Sequence, residues 1–156
     1  MTIKGVDADE VNGFVSRTTT VLERALVARF GIPAGCDAAA AALEYAIQHW
    51  QRVSAMENPT GYLFKVGVTH AIRDIRRASR HAILVSEPST TDRPVDVDLQ
   101  RALMRLKWER RVAILLVHAH GHSYASASEV LGIPVTSITN HLNRGLEQLR
   151  NVMEER

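Results

Sequence analysis

The feature that most constrains this chain is a break at Gly132-Ile133-Pro134, where a short helical pattern ends and a long one begins. Downstream, Ile138, Leu142, Leu146, Leu149 and Met153 recur every three or four residues, which places them on one face of a helix. Upstream, Ser123 to Leu131 reads as a short helix that packs across the second through Ala127, Val130 and Leu131. Two helices joined by a tight Gly-containing turn form the helix-turn-helix arrangement. Ile133 and Ile138 then anchor the second helix, and its N-terminal turns project outward. The projecting face offers Thr136, Ser137, Thr139, Asn140, His141, Asn143 and Arg144. Asn and Arg can bond base edges in a bidentate manner, and Ser, Thr and His supply smaller polar contacts in a major groove. A plain helical hairpin with a solvated polar face fits the same pattern.

The rest of the chain is also helical in its spacing. A first helix is expected from Asp9 to Phe30, with Val11, Phe14, Val15, Val21, Leu22, Ala25 and Leu26 as its apolar stripe. A second runs from Asp37, as N-cap, to Val53, with Ala39, Ala42, Leu43, Ala46, Ile47 and Trp50 on one side. A third starts at Asn58-Pro59 and continues to Arg80. Leu99, Leu103 and Leu106 lead into the apolar run Val112 to Val117, which Gly121 ends, and the final helix reaches Arg156. Aromatic residues make up only 5% of the sequence while Ala and Leu are common, which favours helices over sheets. The stretch Ser86 to Asp98 has two prolines, four acids and no large apolar cluster, so it reads as a linker. The expectation is an all-α chain of two helical domains, residues 1–85 and 99–156, joined by the acidic Pro-containing linker 86–98.

Net charge is +2, but the charges are unevenly placed. Residues 51–85 hold six basic and two acidic side chains, and residues 101–156 hold eight and five. Residues 86–100 between them hold one and four. Basic blocks of this kind are the electrostatic footprint of polyanion binding. Arg73, Arg76, Arg77 and Arg80 form the densest of them. They also suit the C-terminal end of a helix dipole, which is the plainer explanation.

Other chemistries find little support. Cys36 is the sole cysteine, so no internal disulfide is available. No signal peptide or membrane-spanning run is visible, so a cytoplasmic protein without a membrane partner is expected. No phosphate loop, nucleophile motif or defensible carboxylate pair stands out, so neither enzyme activity nor a cofactor is expected. His118, His120 and His122 invite a metal, but nothing completes a tetrahedral set, and a solvated turn is the expectation. Trp50 and Trp108 read as core anchors; Tyr62 or Phe64 could stack on an unpaired base.

The C-terminal residues resemble the fourth conserved region of bacterial RNA polymerase sigma factors, and most closely the small extracytoplasmic-function group. The matching positions are Leu106, Arg111, Ile114 to Val117, Gly121, Ser123, Tyr124, Leu131, Gly132, Ile133, Ile138, Leu142, Arg144 and Gly145. The first half is similar to the second conserved region. Asp37, Ala38, Glu44 and Trp50 match its polymerase-docking helix; Asn58, Pro59, Leu63, Ala71, Ile72, Arg76 and Arg77 match its promoter-melting helix. The resemblance implies a factor that directs RNA polymerase to promoters and opens the strands. It assigns the upstream promoter element to Thr136, Ser137, Thr139, Asn140, His141 and Arg144. Downstream DNA would fall to Lys65, Arg73, Arg76, Arg77 and Arg80, and core polymerase to Asp37 and Glu44. An anti-sigma factor or another regulatory protein is a further implied partner.

The sequence departs from the family at several positions. Ala39, Ala40 and Leu43 stand where an acidic pair and a glutamine are usual. Val68-Thr69 replaces an Arg-Asn pair, Arg73 replaces an Asp, and Thr139 and His141 replace a Lys and an Arg. These departures motivate an alternative, a sigma-derived DNA-binding regulator that has lost standard polymerase docking. A third reading is a protein-interaction module that buries its alanine-rich helix against a partner.

Overall fold

The computed structural model describes residues 5–81 and 97–155, and every element among them is helical. Helix α1 spans Ala8–Phe30 and starts where Asp7 accepts a bond from the Asp9 amide at 3.0 Å. It ends at Gly31, whose positive φ of 80° an L side chain would resist. Helix α2 spans Ala34–Gln48 and α3 spans Trp50–Ser54. Two expectations are corrected here. Asp37 lies in the first turn of α2 rather than capping it, and the helix expected to reach Val53 breaks at His49.

Helix α4 spans Pro59–His81. Asn58 caps it as expected, its Oδ1 accepting from the Gly61 amide at 3.0 Å. The alanines of α2 make the first half compact. Ala38, Ala39, Ala42 and Ala46 are buried, together with Leu22, Ala25 and Leu26 of α1 and Leu63, Phe64 and Ala71 of α4. Small side chains let the three helices approach closely, and Gly35 lies against the backbone of Leu26 and Val27. Trp50 is buried and packs on Phe14 with ring centroids 5.2 Å apart, the anchoring role expected of it.

The linker expected at 86–98 lies outside the described residues except for Val97 and Asp98, which already open helix α5, Val97–Arg105. Helix α6 spans Trp108–Ile114 and widens into a π-type turn over Leu115–Ala119. The chain therefore breaks at Leu106-Lys107 instead of running continuously into the apolar stretch. Helices α7, Tyr124–Leu131, and α8, Val135–Glu154, follow. Ser123 caps α7 by accepting from the Ser126 amide at 3.0 Å, and Gly132 ends it in the left-handed conformation. Ala127, Val130, Leu131, Ile138 and Leu142 form the expected crossing core. The stripe of α8 differs in two places. Gly145 is buried while Leu146 is 38% exposed, and Met153 is 40% exposed. A Cβ at position 145 would come within 2.6 Å of Ile114 Cδ1, so this glycine is what lets α6 and α8 meet.

The two halves share one hydrophobic core. Phe64 of α4 faces Trp108 of α6 with centroids 6.1 Å apart, and the Arg29 guanidinium lies 3.8 Å from a Trp108 ring centroid. Asn58 Nδ2 donates to the Glu129 carbonyl at 2.8 Å, tying the start of α4 to α7. The strongest tie is Arg111. It is 8% exposed, and its Nε and Nη2 donate to the carbonyls of Ala28 (2.9 Å) and Arg29 (3.1 Å) at the end of α1. Its Nη1 donates to the Leu106 carbonyl at 3.2 Å. One guanidinium thus satisfies carbonyls that the end of α1 leaves without intrahelical partners.

Candidate nucleic-acid interface

Hydrophobic anchoring aims the face of α8. Ile138 and Leu142 are fully or almost fully buried, which turns the residues between them outward. Ser137, Asn140, His141 and Arg144 line one concavity of about 300 Å³. Lys107, Glu109 and Arg110, at the start of α6, form its opposite wall. Arg110 Nη1 donates to Gln148 Oε1 at 2.9 Å, which holds that wall against α8. Four of the six residues expected to read DNA on this helix are therefore brought together. Thr136 and Thr139 stand outside the concavity, and the Thr139 hydroxyl donates to the Val135 carbonyl at 3.2 Å. The sequence reading missed Lys107, Glu109 and Arg110. Their only sequence signal was the charge of the segment around Trp108.

A second cationic surface lies on α4. Arg73, Arg76, Arg77 and Arg80, with Thr69 and Ile72, line a concavity of about 440 Å³. All four arginines are exposed. Leu63, Phe64, Gly67 and Ala71 bury the opposite face of the helix, so one stripe packs and the other displays charge. Lys65 is exposed but stands apart from this group, a turn or more towards the N-terminus. Asp74 pairs with His70 across one turn at 3.4 Å.

On α2, Asp37, Ala40, Glu44 and Ile47 are exposed at helical spacing, and Ile47 is 43% exposed. Glu44 Oε1 accepts from Gln48 Nε2 at 3.2 Å. Of the positions that depart from the resembled family, Ala39 is buried in the core and Ala40 lies on the open face. Cys36 sits beside this surface as a thiol. Desolvation pushes its pKa up, and the nearby Glu23 and Asp37 carboxylates push the same way. That environment is the opposite of one that activates a cysteine.

In the region read as HAHGH, His118 and Ala119 close the π-helical segment, and only His120 to His122 form the expected turn. His118 and His120 are exposed, whereas His122 is half-buried and within 3.0 Å of Arg24 Nη1 on α1. Tyr62 is half-buried, its hydroxyl 3.2 Å from that of Tyr45, and Arg52 Nη2 donates to it at 3.4 Å. Phe64 is in the core and unavailable for stacking on a base. No described helix is long and apolar enough to cross a membrane.

Residues 96–149 match the family described as Sigma-70, region 4. Over 100 residues, 60% of this chain, the sequence is 29% identical to the ECF RNA polymerase sigma factor SigM of two Mycobacterium tuberculosis strains. The match takes in 51% of those proteins, so the chain spans about half the length of the curated relatives it matches. The solved structures that share the fold include two complexes. The sigma factor RpoE of Bartonella quintana, solved with the anti-sigma factor NepR, is 18% identical with a TM-score of 0.63, covering 94% of this chain and 98% of that one. CnrH, solved with the cytosolic domain of CnrY, is 22% identical with a TM-score of 0.57, covering 96% and 90%. Residues 96–149 are thus similar to sigma-70 region 4, and over 100 residues the chain is similar to extracytoplasmic-function sigma factors.

Proposed function

We propose that this chain is a promoter-specificity factor of the extracytoplasmic-function type, directing bacterial RNA polymerase by DNA recognition and strand opening. The observation that carries the reading is the concavity where Ser137, Asn140, His141 and Arg144 of the helix-turn-helix face Lys107 and Arg110, inside the segment that matches sigma-70 region 4. Asn140 and Arg144 are the side chains there that can make bidentate base contacts. Lys107 and Arg110 supply charge for the flanking phosphates.

In this proposal residues 99–156 read the upstream promoter element, and Thr136 and Thr139 add contacts at the rim. Residues 1–85 form the unit that meets polymerase and the downstream element, with 86–98 as the connection. Arg73, Arg76, Arg77 and Arg80 hold the downstream strand, with Lys65 further along α4. Asp37 and Glu44, with Ala40 and Ile47 between and beyond them, form the patch on α2 that meets core polymerase. An exposed isoleucine among carboxylates suits a protein partner better than bulk water. Such a factor acts through the polymerase's chemistry and needs no active site of its own. A proteinaceous inhibitor of the anti-sigma kind is the regulatory partner this reading implies.

The test is selection of duplex DNA from a random library by the full chain and by Asn140→Ala and Arg144→Ala variants. The reading predicts one enriched motif, with preference relaxed at separate positions in each variant. Enrichment of no motif, or identical motifs from all three proteins, would refute the assignment.

A further inference from the structure

The histidine turn carries a consequence independent of what the chain binds. Arg24 Nη1 on α1 lies 3.0 Å from His122 Nε2, which stands just before α7. The contact joins residues 98 positions apart, one in each half. A guanidinium has donors and no acceptor. Nε2 must therefore accept, and only an imidazole without a proton there can do so. The neutral ring keeps its one proton on Nδ1, and a second proton would turn an acceptor into a donor facing a cation.

The surroundings offer no relief. Arg24 faces His122 from α1, and His120 stands two residues away on the same turn. Arg111 of α6 lines the same large cavity as Arg24 and His120. Glu23, the chain neighbour of Arg24, acts on Cys36 instead. The backbone holds the turn in place, with the His122 amide donating to the Leu116 carbonyl at 2.9 Å and the His120 amide to Leu115 at 3.0 Å. The backbone of His122 is therefore held beside α1.

We propose that the Arg24–His122 bond is a proton-sensitive latch between the two halves of the protein, closed when His122 is neutral and released when it is protonated. Partial desolvation, reinforced by Arg24, lowers the pKa of His122, and the same causes with His122 added lower that of His120. The closed structure thus favours the neutral ring. Its contribution is whole above about pH 6.5, the ordinary imidazole value, and is lost as pH falls from there through the depressed value.

The experiment has two readouts on the full chain. In an NMR titration the His122 imidazole should have its midpoint below about 6.5, and Arg24→Gln should move that midpoint upward. In a double-mutant cycle of Arg24→Met and His122→Leu, followed by urea unfolding, the coupling should be favourable at pH 7.5 and vanish or reverse at pH 5.5. His122→Gln offers a carbonyl that accepts the same bond and cannot be protonated, so its coupling to Arg24 should be equal at both pH values. A His122 midpoint at or above the ordinary imidazole value overturns the latch. So does a wild-type coupling that is the same at pH 7.5 and pH 5.5.

Discussion

Replacing Arg111 with Met removes the guanidinium that ties α6 to the end of α1 and leaves an apolar stem of similar length. Three bonds disappear, to Ala28, Arg29 and Leu106, at 2.9, 3.1 and 3.2 Å. Hydrogen bonds to a charged group contribute about 1.5–3 kcal/mol each. The full sum is not lost, for two reasons. Burial of the guanidinium carries its own desolvation cost, visible in the lowered pKa of Arg111, and the variant avoids it. Ala28 and Arg29 also line the large cavity beside α5, so water can reach their freed carbonyls. A net loss of about 3 kcal/mol follows, equivalent to roughly 6–12 °C in Tm for a chain of this size. Urea unfolding read by circular dichroism and by tryptophan fluorescence measures it, because Trp108 lies at the affected interface. Arg111→Lys should fall between the two, since one ammonium cannot span three carbonyls. A loss under about 1 kcal/mol for Arg111→Met would show that the three bonds do not hold the halves together.

Three further outcomes are expected. Gly35→Ala should destabilise by about 3 kcal/mol or more, since a Cβ there would sit on the backbone of Leu26 and Val27 rather than on a side chain that can move; thermal melting checks it. Asn58→Ala should lose about 1–2 kcal/mol in urea, because Asn58 both caps α4 and bonds the Glu129 carbonyl of α7. Lys107→Ala should weaken DNA binding and reduce the slope of log affinity against log salt by about 0.9, for one phosphate no longer neutralised; anisotropy titrations at several salt concentrations read both, while thermal stability stays within about 0.5 kcal/mol of wild type.

The parts of this fold that local spacing controls were legible in the sequence. Asn58-Pro59, Ser123 and Gly132 mark helix ends that the structure keeps, because caps and turns depend on nearby residues alone. Ile138, Leu142 and Leu149 were readable as a buried face for the same reason. Leu146 departs from the expected stripe because its place is taken by Gly145, which only the approach of Ile114 explains. The break at His49 was hidden inside good helix formers; there the His49 ring stacks on Tyr45 with centroids 4.2 Å apart. What no spacing could show were the ties between the halves. Arg111 reaches the Ala28 carbonyl across 83 positions, and the Arg24 and His122 side chains meet across 98. The same limit applied to the candidate DNA surface, whose helical face was readable while its opposite wall, from Lys107 to Arg110, was not.

The most direct measurement is abortive transcription by bacterial core RNA polymerase, with and without this protein, on a library of promoter fragments. The account predicts that the protein co-elutes with core polymerase and that initiation begins at a distinct subset of fragments only when it is present. It also predicts that charge reversal of Arg73 and Arg76 abolishes initiation and leaves co-elution intact. A protein that selects duplex DNA but neither binds core polymerase nor supports initiation would contradict the account and favour a sigma-derived regulator instead.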